Sequence, residues 1–152
     1  MMSLRTLPTG MVLQGKRVLL RLDWNVPLSG GVLPDASLKI ERSLDTISGL
    51  TKRGAIVVVL THLGRPEKAD PHFSTKHLVS LLHYHYRLSV HFHPESVSRI
   101  ADHTALMEVL SSASAGSVHL LENVRFQEGE EKNDKKLAKA YACLGHVFIN
   151  DA

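Results

Sequence analysis

Four short polar clusters each close a run of apolar residues: Arg21, Asp23 and Asn25; His62 and Arg65; Glu122, Asn123 and Arg125; Asn150 and Asp151. A guanidinium fork grips a phosphate or carboxylate through two parallel hydrogen bonds, so arginines in such places suit an anion. His62 can donate to the same anion. Arg21, Asp23 and Asn25 alternate along the chain and so share one face of a strand. Asp23 and Asn25 can accept hydrogen bonds from a hydroxylated ligand, and a carboxylate beside arginines can also hold them in place when the site is empty. Plainer readings stay open here. Arg21 and Asp23 can form a buried ion pair with Asn25 closing a turn, Arg65 and Arg125 can be solvated loop charges, and His62 a satisfied polar group. Convergence favours chemistry, because every cluster falls at the carboxyl end of an expected strand, where open α/β sheets bind ligands.

The elements that position these clusters follow from the apolar pattern. Residues 17–24 read as a strand ended by Asn25-Val26-Pro27, and Ser29-Gly30-Gly31 as a turn. Asp35 or Ser37 caps a helix running to about Lys52, with Ile40, Leu44, Ile47 and Leu50 at helical spacing and Gly54 just past its end. Ala55–Thr61 carries a β-branched run typical of a strand buried on both faces. It opens into His62-Leu63-Gly64-Arg65-Pro66, where proline biases Arg65 toward an extended backbone. Ser74 caps a helix with Leu78, Leu81 and Leu82, and Leu88–Phe92 forms a short strand. His93-Pro94 breaks the chain before helical residues 96–111, and Ser117–Glu122 is a fourth strand. The acidic run Gln127–Asp134 reads as a solvated loop, with Asn133 or Asp134 capping a helix through Leu144, and 146–151 is a fifth strand. Strand and helix alternate throughout, which predicts right-handed βαβ units. The expected fold is a doubly wound parallel sheet, a Rossmann-like three-layer α/β/α domain over residues 1–152. The chain stops one residue after a strand of buried type, so the sheet is expected to be incomplete at the C-terminus and the chain a fragment.

Composition narrows the class without choosing a function. The 152 residues, 43% hydrophobic and 22% charged, suit one globular domain. A net charge of +3 favours anionic partners. It brings neither a basic stripe nor interleaved aromatics, so no nucleic acid is expected as a partner. No apolar stretch spans a bilayer and the first fifteen residues lack the apolar core of a secretory signal, so no membrane is expected either. The lone Cys143 excludes an internal disulfide and fits a reducing cytoplasm. His91-x-His93 and His83-x-His85 lack a third ligand at fixed spacing, so no metal is expected. Neither glycine-rich phosphate signature, G-x-x-x-x-G-K-[ST] or G-x-G-x-x-G, occurs.

Taken in order, four motifs resemble the phosphoglycerate kinase family. Residues 21–27, RLDWNVP, are similar to R-V-D-F-N-V-P; 61–66, THLGRP, to S-H-L-G-R-P; 120–126, LLENVRF, match L-L-E-N-x-R-F; and 150–152, NDA, match the start of N-D-A-F-G. The resemblance implies a two-domain kinase of glycolysis, cytoplasmic and monomeric at full length, moving a phosphoryl group between 1,3-bisphosphoglycerate and ADP. This chain would be the N-terminal domain that binds 3-phosphoglycerate, while Mg-ATP or Mg-ADP would bind a C-terminal domain absent here. By resemblance, Asp23 and Asn25 hold the glycerate's polar groups, and His62, Leu63, Gly64, Arg65 and Arg125 its phosphate and neighbouring oxygens. A non-catalytic phosphoglycerate-binding fragment is the alternative. One position departs from the pattern. Lys39 stands where the family's D-x-R-I arginine contacts the transferring phosphoryl group, keeping the charge but losing the fork. A slower turnover with an unchanged binding mode is the expected consequence.

Overall fold

A computed structural model describes residues 7–8, 10–27 and 34–152. Five strands, β1 (Arg17–Leu22), β2 (Ile56–Leu60), β3 (His91–His93), β4 (Val118–Leu121) and β5 (Val147–Asp151), alternate with α1 (Pro34–Lys52), α2 (Lys76–Tyr86), α3 (Ile100–Ser111) and α4 (Lys135–Leu144). The strands form one parallel sheet in the order β3-β4-β2-β1-β5.

That order explains where the helices sit. The chain travels one way from β1 to β2 to β3, reverses, and travels the other way through β4 to β5. Right-handed crossovers then put the first two helices on one face and the last two on the other. Alternate strand residues accordingly feed two cores. Val18, Leu20, Leu22, Val57, Val59 and Leu120 pack with Ile40, Ile47 and Leu50 of α1 and Leu78 and Leu82 of α2. Leu19, Val58, Leu60 and Leu121 pack with Leu106 and Leu110 of α3 and Leu144 of α4. The doubly wound α/β fold read from the sequence is the fold observed. The loops leaving β2 and β4, which are neighbours, diverge to opposite faces, and that divergence is the crevice in which such sheets bind ligands.

Several boundaries differ from expectation. The turn at Ser29-Gly30-Gly31 lies outside the described residues. The first helix begins at Pro34, so Asp35 and Ser37 fall within its first turn and not at its cap; proline at the start of a helix gives up no hydrogen bond. The N-cap of α2 is Thr75, although Ser74 Oγ accepts from the Lys76 N–H at 3.2 Å. The third strand starts at His91, which pairs with His119, and runs to His93. The fourth helix starts after Asp134, whose carboxylate accepts from the N–H groups of Lys136 and Leu137 at 2.8 Å each. No helix among the described residues is long and apolar enough to cross a membrane.

The sequence gives no hint that His119 joins His91 and His93. Rings of His91 and His93 each stack on His119 with centroids 5.1 Å apart, and His93 Nε2 lies 2.9 Å from His119 Nδ1. His119 is 4% exposed. Burial, then the charges of His93 and His91, push its pKa down to about 4, and burial also lowers that of His93. An unfolded histidine takes its proton near pH 6.5, so the folded state is at full stability above that pH and loses it on descent toward 4. The loss from His119 alone is on the order of 2–3 kcal/mol. Urea midpoints at pH 7.5 and pH 4.5 are expected to differ accordingly, with His119→Gln flattening the difference. A midpoint indifferent to pH in the histidine variant and the parent alike would refute the assignment.

Candidate functional site

The rim at the carboxyl ends of β1, β2 and β4 is built around one buried tryptophan and one buried asparagine. Trp24 is fully buried, its indole N–H donating to Ser43 Oγ at 2.8 Å and its backbone N–H to Thr61 Oγ1 at 3.0 Å. This ties the segment carrying Asp23 and Asn25 to the end of β2 and to α1. Asn123, 0% exposed, donates from Nδ2 to the carbonyls of Leu63 at 2.7 Å and Phe73 at 2.8 Å, and its Oδ1 accepts from the Arg125 N–H at 3.0 Å. One side chain thereby fixes the His62 loop against the Arg125 turn. The neighbouring Glu122 accepts from Ser74 Oγ at 2.7 Å and from the backbone N–H groups of Thr75 at 2.8 Å and Asn123 at 2.7 Å. Both residues looked like rim polar groups in the sequence, and both serve as clamps.

Asn25 is likewise committed to the scaffold. Its Oδ1 accepts from the Gly64 N–H at 2.8 Å. Gly64 adopts φ +64°, and a β-carbon there would strike the Phe73 ring, so only glycine fits this close approach. The side chain of Leu63 is 2% exposed and belongs to the core, leaving only its backbone for a ligand. Asp151 accepts from Thr46 Oγ1 at 2.7 Å and so faces α1, while Asn150 is exposed.

The charged groups do gather, with partners different from those expected. The first strand ends at Leu22, so the alternation linking Arg21 to Asp23 breaks there. Arg21 does not pair with Asp23; its Nη2 donates to Glu130 Oε1 at 3.4 Å. Asp23 accepts instead from Lys39 Nζ at 2.7 Å. Burial pushes the Asp23 carboxyl up, but hydrogen bonds from Lys39 and the Asn25 N–H, with the charges of Lys39 and His62, outweigh it and hold the pKa below the usual range. Arg125 Nε sits 3.2 Å from Glu130 Oε2, and its Nη1 pairs with Glu131. The acidic run is therefore no solvated loop at Glu130, whose side chain is 22% exposed. Gly129, at φ +93°, makes the turn that folds it back. The only forewarning in the sequence is a glycine inside an acidic run, E-G-E-E at 128–131.

His62 lies amid these charges. Burial first, then the positive charges of Arg21 and Arg125, lower its pKa against the pull of Asp23 and Glu130. Its Nδ1 is buried and makes no hydrogen bond among the described residues. Arg65, exposed, has neither ion pair nor hydrogen bond among them. An imidazole with an unused nitrogen thus lies within reach of the charges of Arg21 and Arg125 at the carboxyl rim.

Fold and site together define a doubly wound α/β domain with a cationic rim. The family model for phosphoglycerate kinase matches residues 9–152. The chain is 42% identical over 153 residues to the phosphoglycerate kinase of Methylorubrum extorquens and 42% identical over 152 residues to that of Brucella melitensis, covering 37% of each. Among solved structures, the phosphoglycerate kinase of Coxiella burnetii superposes with a TM-score of 0.76 at 33% identity, over 95% of this chain and 34% of that one. The enzyme of Pyrococcus horikoshii gives 0.74 at 28%, over 93% and 35%. The chain belongs to the phosphoglycerate kinase family, and it spans about a third of the length of the relatives it matches.

Proposed function

We propose that residues 1–152 are the N-terminal, phosphoglycerate-binding domain of a phosphoglycerate kinase, which transfers a phosphoryl group between 1,3-bisphosphoglycerate and ADP to give 3-phosphoglycerate and ATP. The observation that carries this reading is the gathering of Arg21, His62 and Arg125 at the crevice between β2 and β4 in a chain of this family. Arg65, Arg125 and His62 take the phosphate, Asp23 meets the glycerate's hydroxyl, and the backbone of Leu63 and Gly64 lines the pocket. Lys39, held by Asp23, sits where a cation would face the transferring group. The acceptor in the reverse direction is a carboxylate, ionised at neutral pH, so no general base is required. Positioning and charge then do the catalysis. Among the described residues no group of three or more His, Cys, Asp or Glu side chains is arranged to hold an ion. In this reading a second domain holds Mg-ATP or Mg-ADP. A reducing cytoplasm and a monomeric full-length enzyme complete the reading.

The test is a chemical-shift titration of the 152-residue chain with 3-phosphoglycerate. Shifts are expected in segments 61–65 and 123–125, with a millimolar dissociation constant, roughly 4 kcal/mol. A spectrum unmoved at saturating ligand rejects the reading. His62 adds a proton signature. Its lowered pKa leaves it neutral in the free chain, and a phosphate dianion beside it favours the charged form. Binding near neutral pH should therefore take up a proton and tighten as the pH falls, which calorimetry in two buffers of different ionisation heat measures directly.

A further inference from the structure

Three cations of the rim are paired internally. Lys39 takes Asp23, Arg21 takes Glu130, and Arg125 takes both Glu130 and Glu131. Glu130 is the hub, with one oxygen 3.4 Å from Arg21 Nη2 and the other 3.2 Å from Arg125 Nε. Its carboxylate spans the two guanidiniums as a bound anion would. The fit is poor on the Arg125 side, where Nε and Oε2 are both buried and neither makes a hydrogen bond. The two arginines are thus neutralised in charge while the Nε–H of Arg125 stays unsatisfied. The carboxylates reach the site on a built turn: Gly129 is left-handed, a β-carbon there would meet the side chain of Asp134, and the Asp134 N–H closes the turn on the Gly129 carbonyl at 3.0 Å.

We infer that Glu130 and Glu131 are a built-in competitor for the substrate's phosphate, which an incoming oxyanion must displace from Arg21 and Arg125. The inference rests on the phosphoglycerate reading of the site. A tethered carboxylate is present at high effective concentration. A free monocarboxylate brings the same single charge and the same two oxygens, so exchange gains it nothing. A phosphate brings a charge of about −1.5 to −2 and three acceptor oxygens, enough to satisfy both forks at once. The displacement costs every such ligand the same, so it lowers the affinity of the site as a whole, while the ligand's own charge and oxygens decide which one is preferred. Glu130 acts through the arginines and is a positioning residue.

The experiment titrates 3-phosphoglycerate, glycerate and inorganic phosphate into the parent chain, Glu131→Gln and the double variant Glu130→Gln/Glu131→Gln. Glu131 is 71% exposed, so its single variant tests the idea without endangering the fold. In the double variant, inorganic phosphate and 3-phosphoglycerate should bind about tenfold more tightly, the size of one charge-assisted hydrogen bond. Glycerate, with its smaller charge, should gain no more than that, and Glu131→Gln should move each ligand the same way by less. A merely structural role would leave these affinities unchanged or weaken every ligand alike, and either result overturns the inference. If inorganic phosphate tightens in the double variant while 3-phosphoglycerate binds none of the chains, the competitor stands and the phosphoglycerate reading falls. If nothing binds any chain, both fall.

Discussion

Asn123→Ala is expected to destabilise the domain by about 3–4 kcal/mol, more than any other single change at the rim. Its amide satisfies two carbonyls, those of Leu63 and Phe73, and its oxygen satisfies the Arg125 N–H, all from a fully buried position. Alanine leaves three backbone groups without their partner. Each such group costs roughly 1–3 kcal/mol when water cannot reach it, and the turn at Arg125 can recover part of that by moving outward. The urea midpoint should fall with little change in slope, as befits a loss of stability without a change in the surface exposed on unfolding. Asn123→Asp is the sharper control, since it keeps the shape and replaces two donated hydrogens by an acceptor facing two carbonyls. It should be at least as damaging as alanine. A midpoint within the error of the parent in both variants would show that the clamp is dispensable.

Arg125→Ala should reduce affinity for 3-phosphoglycerate by roughly 10–100-fold, the range for losing one or two hydrogen bonds to a charged group. From a millimolar starting point that is loss of measurable binding. Arg125→Lys should restore little, because an ammonium cannot offer two parallel donors along one edge. Arg125 also carries Glu130 and Glu131. Its removal therefore frees a carboxylate to lean further on Arg21, which compounds the loss. Direct calorimetric titration of the three chains, with folding verified by their unfolding midpoints, decides the point. Equal affinity for the lysine variant and the parent would mean that Arg125 contributes charge alone.

Much of this architecture was legible because local signals and the sheet agreed. The β-branched run of β2 is buried along its whole length, and Asp134 caps α4 as its place before an apolar stretch suggests. The misread strand shows where local signals stop. Leu88, Val90 and Phe92 alternate like a strand and do pack against the first core. Extending the register backward from His91 and His119 would set Leu88 against Gly116, where the backbone turns at φ +81°. No ladder can form there, and nothing within residues 88–92 says so. The site was legible in the same partial way. Which residues end strands can be read from the pattern, and so the rim was found. Which residues become partners is settled by loops distant in the chain. Arg21 meets Glu130, Glu122 meets Ser74 and Asn25 meets Gly64 across long stretches of sequence. The polar groups with the clearest positions in the sequence, Asn25, Glu122 and Asn123, turned out to brace the loops that present the cations.

The protein contains one tryptophan. Because Trp24 lies between Asp23 and Asn25, is fully buried and donates its indole N–H to Ser43, its fluorescence is a private optical record of the seam between β1, β2 and α1. Three tyrosines are the only other fluorophores of comparable strength, and excitation at the red edge leaves them dark. Emission from this chain therefore reports one place and not an average over the fold. A ligand that merely neutralises the arginines should leave the colour of that light untouched, whereas any event that pries the end of β1 from Thr61 lets water reach the indole and shifts it to the red.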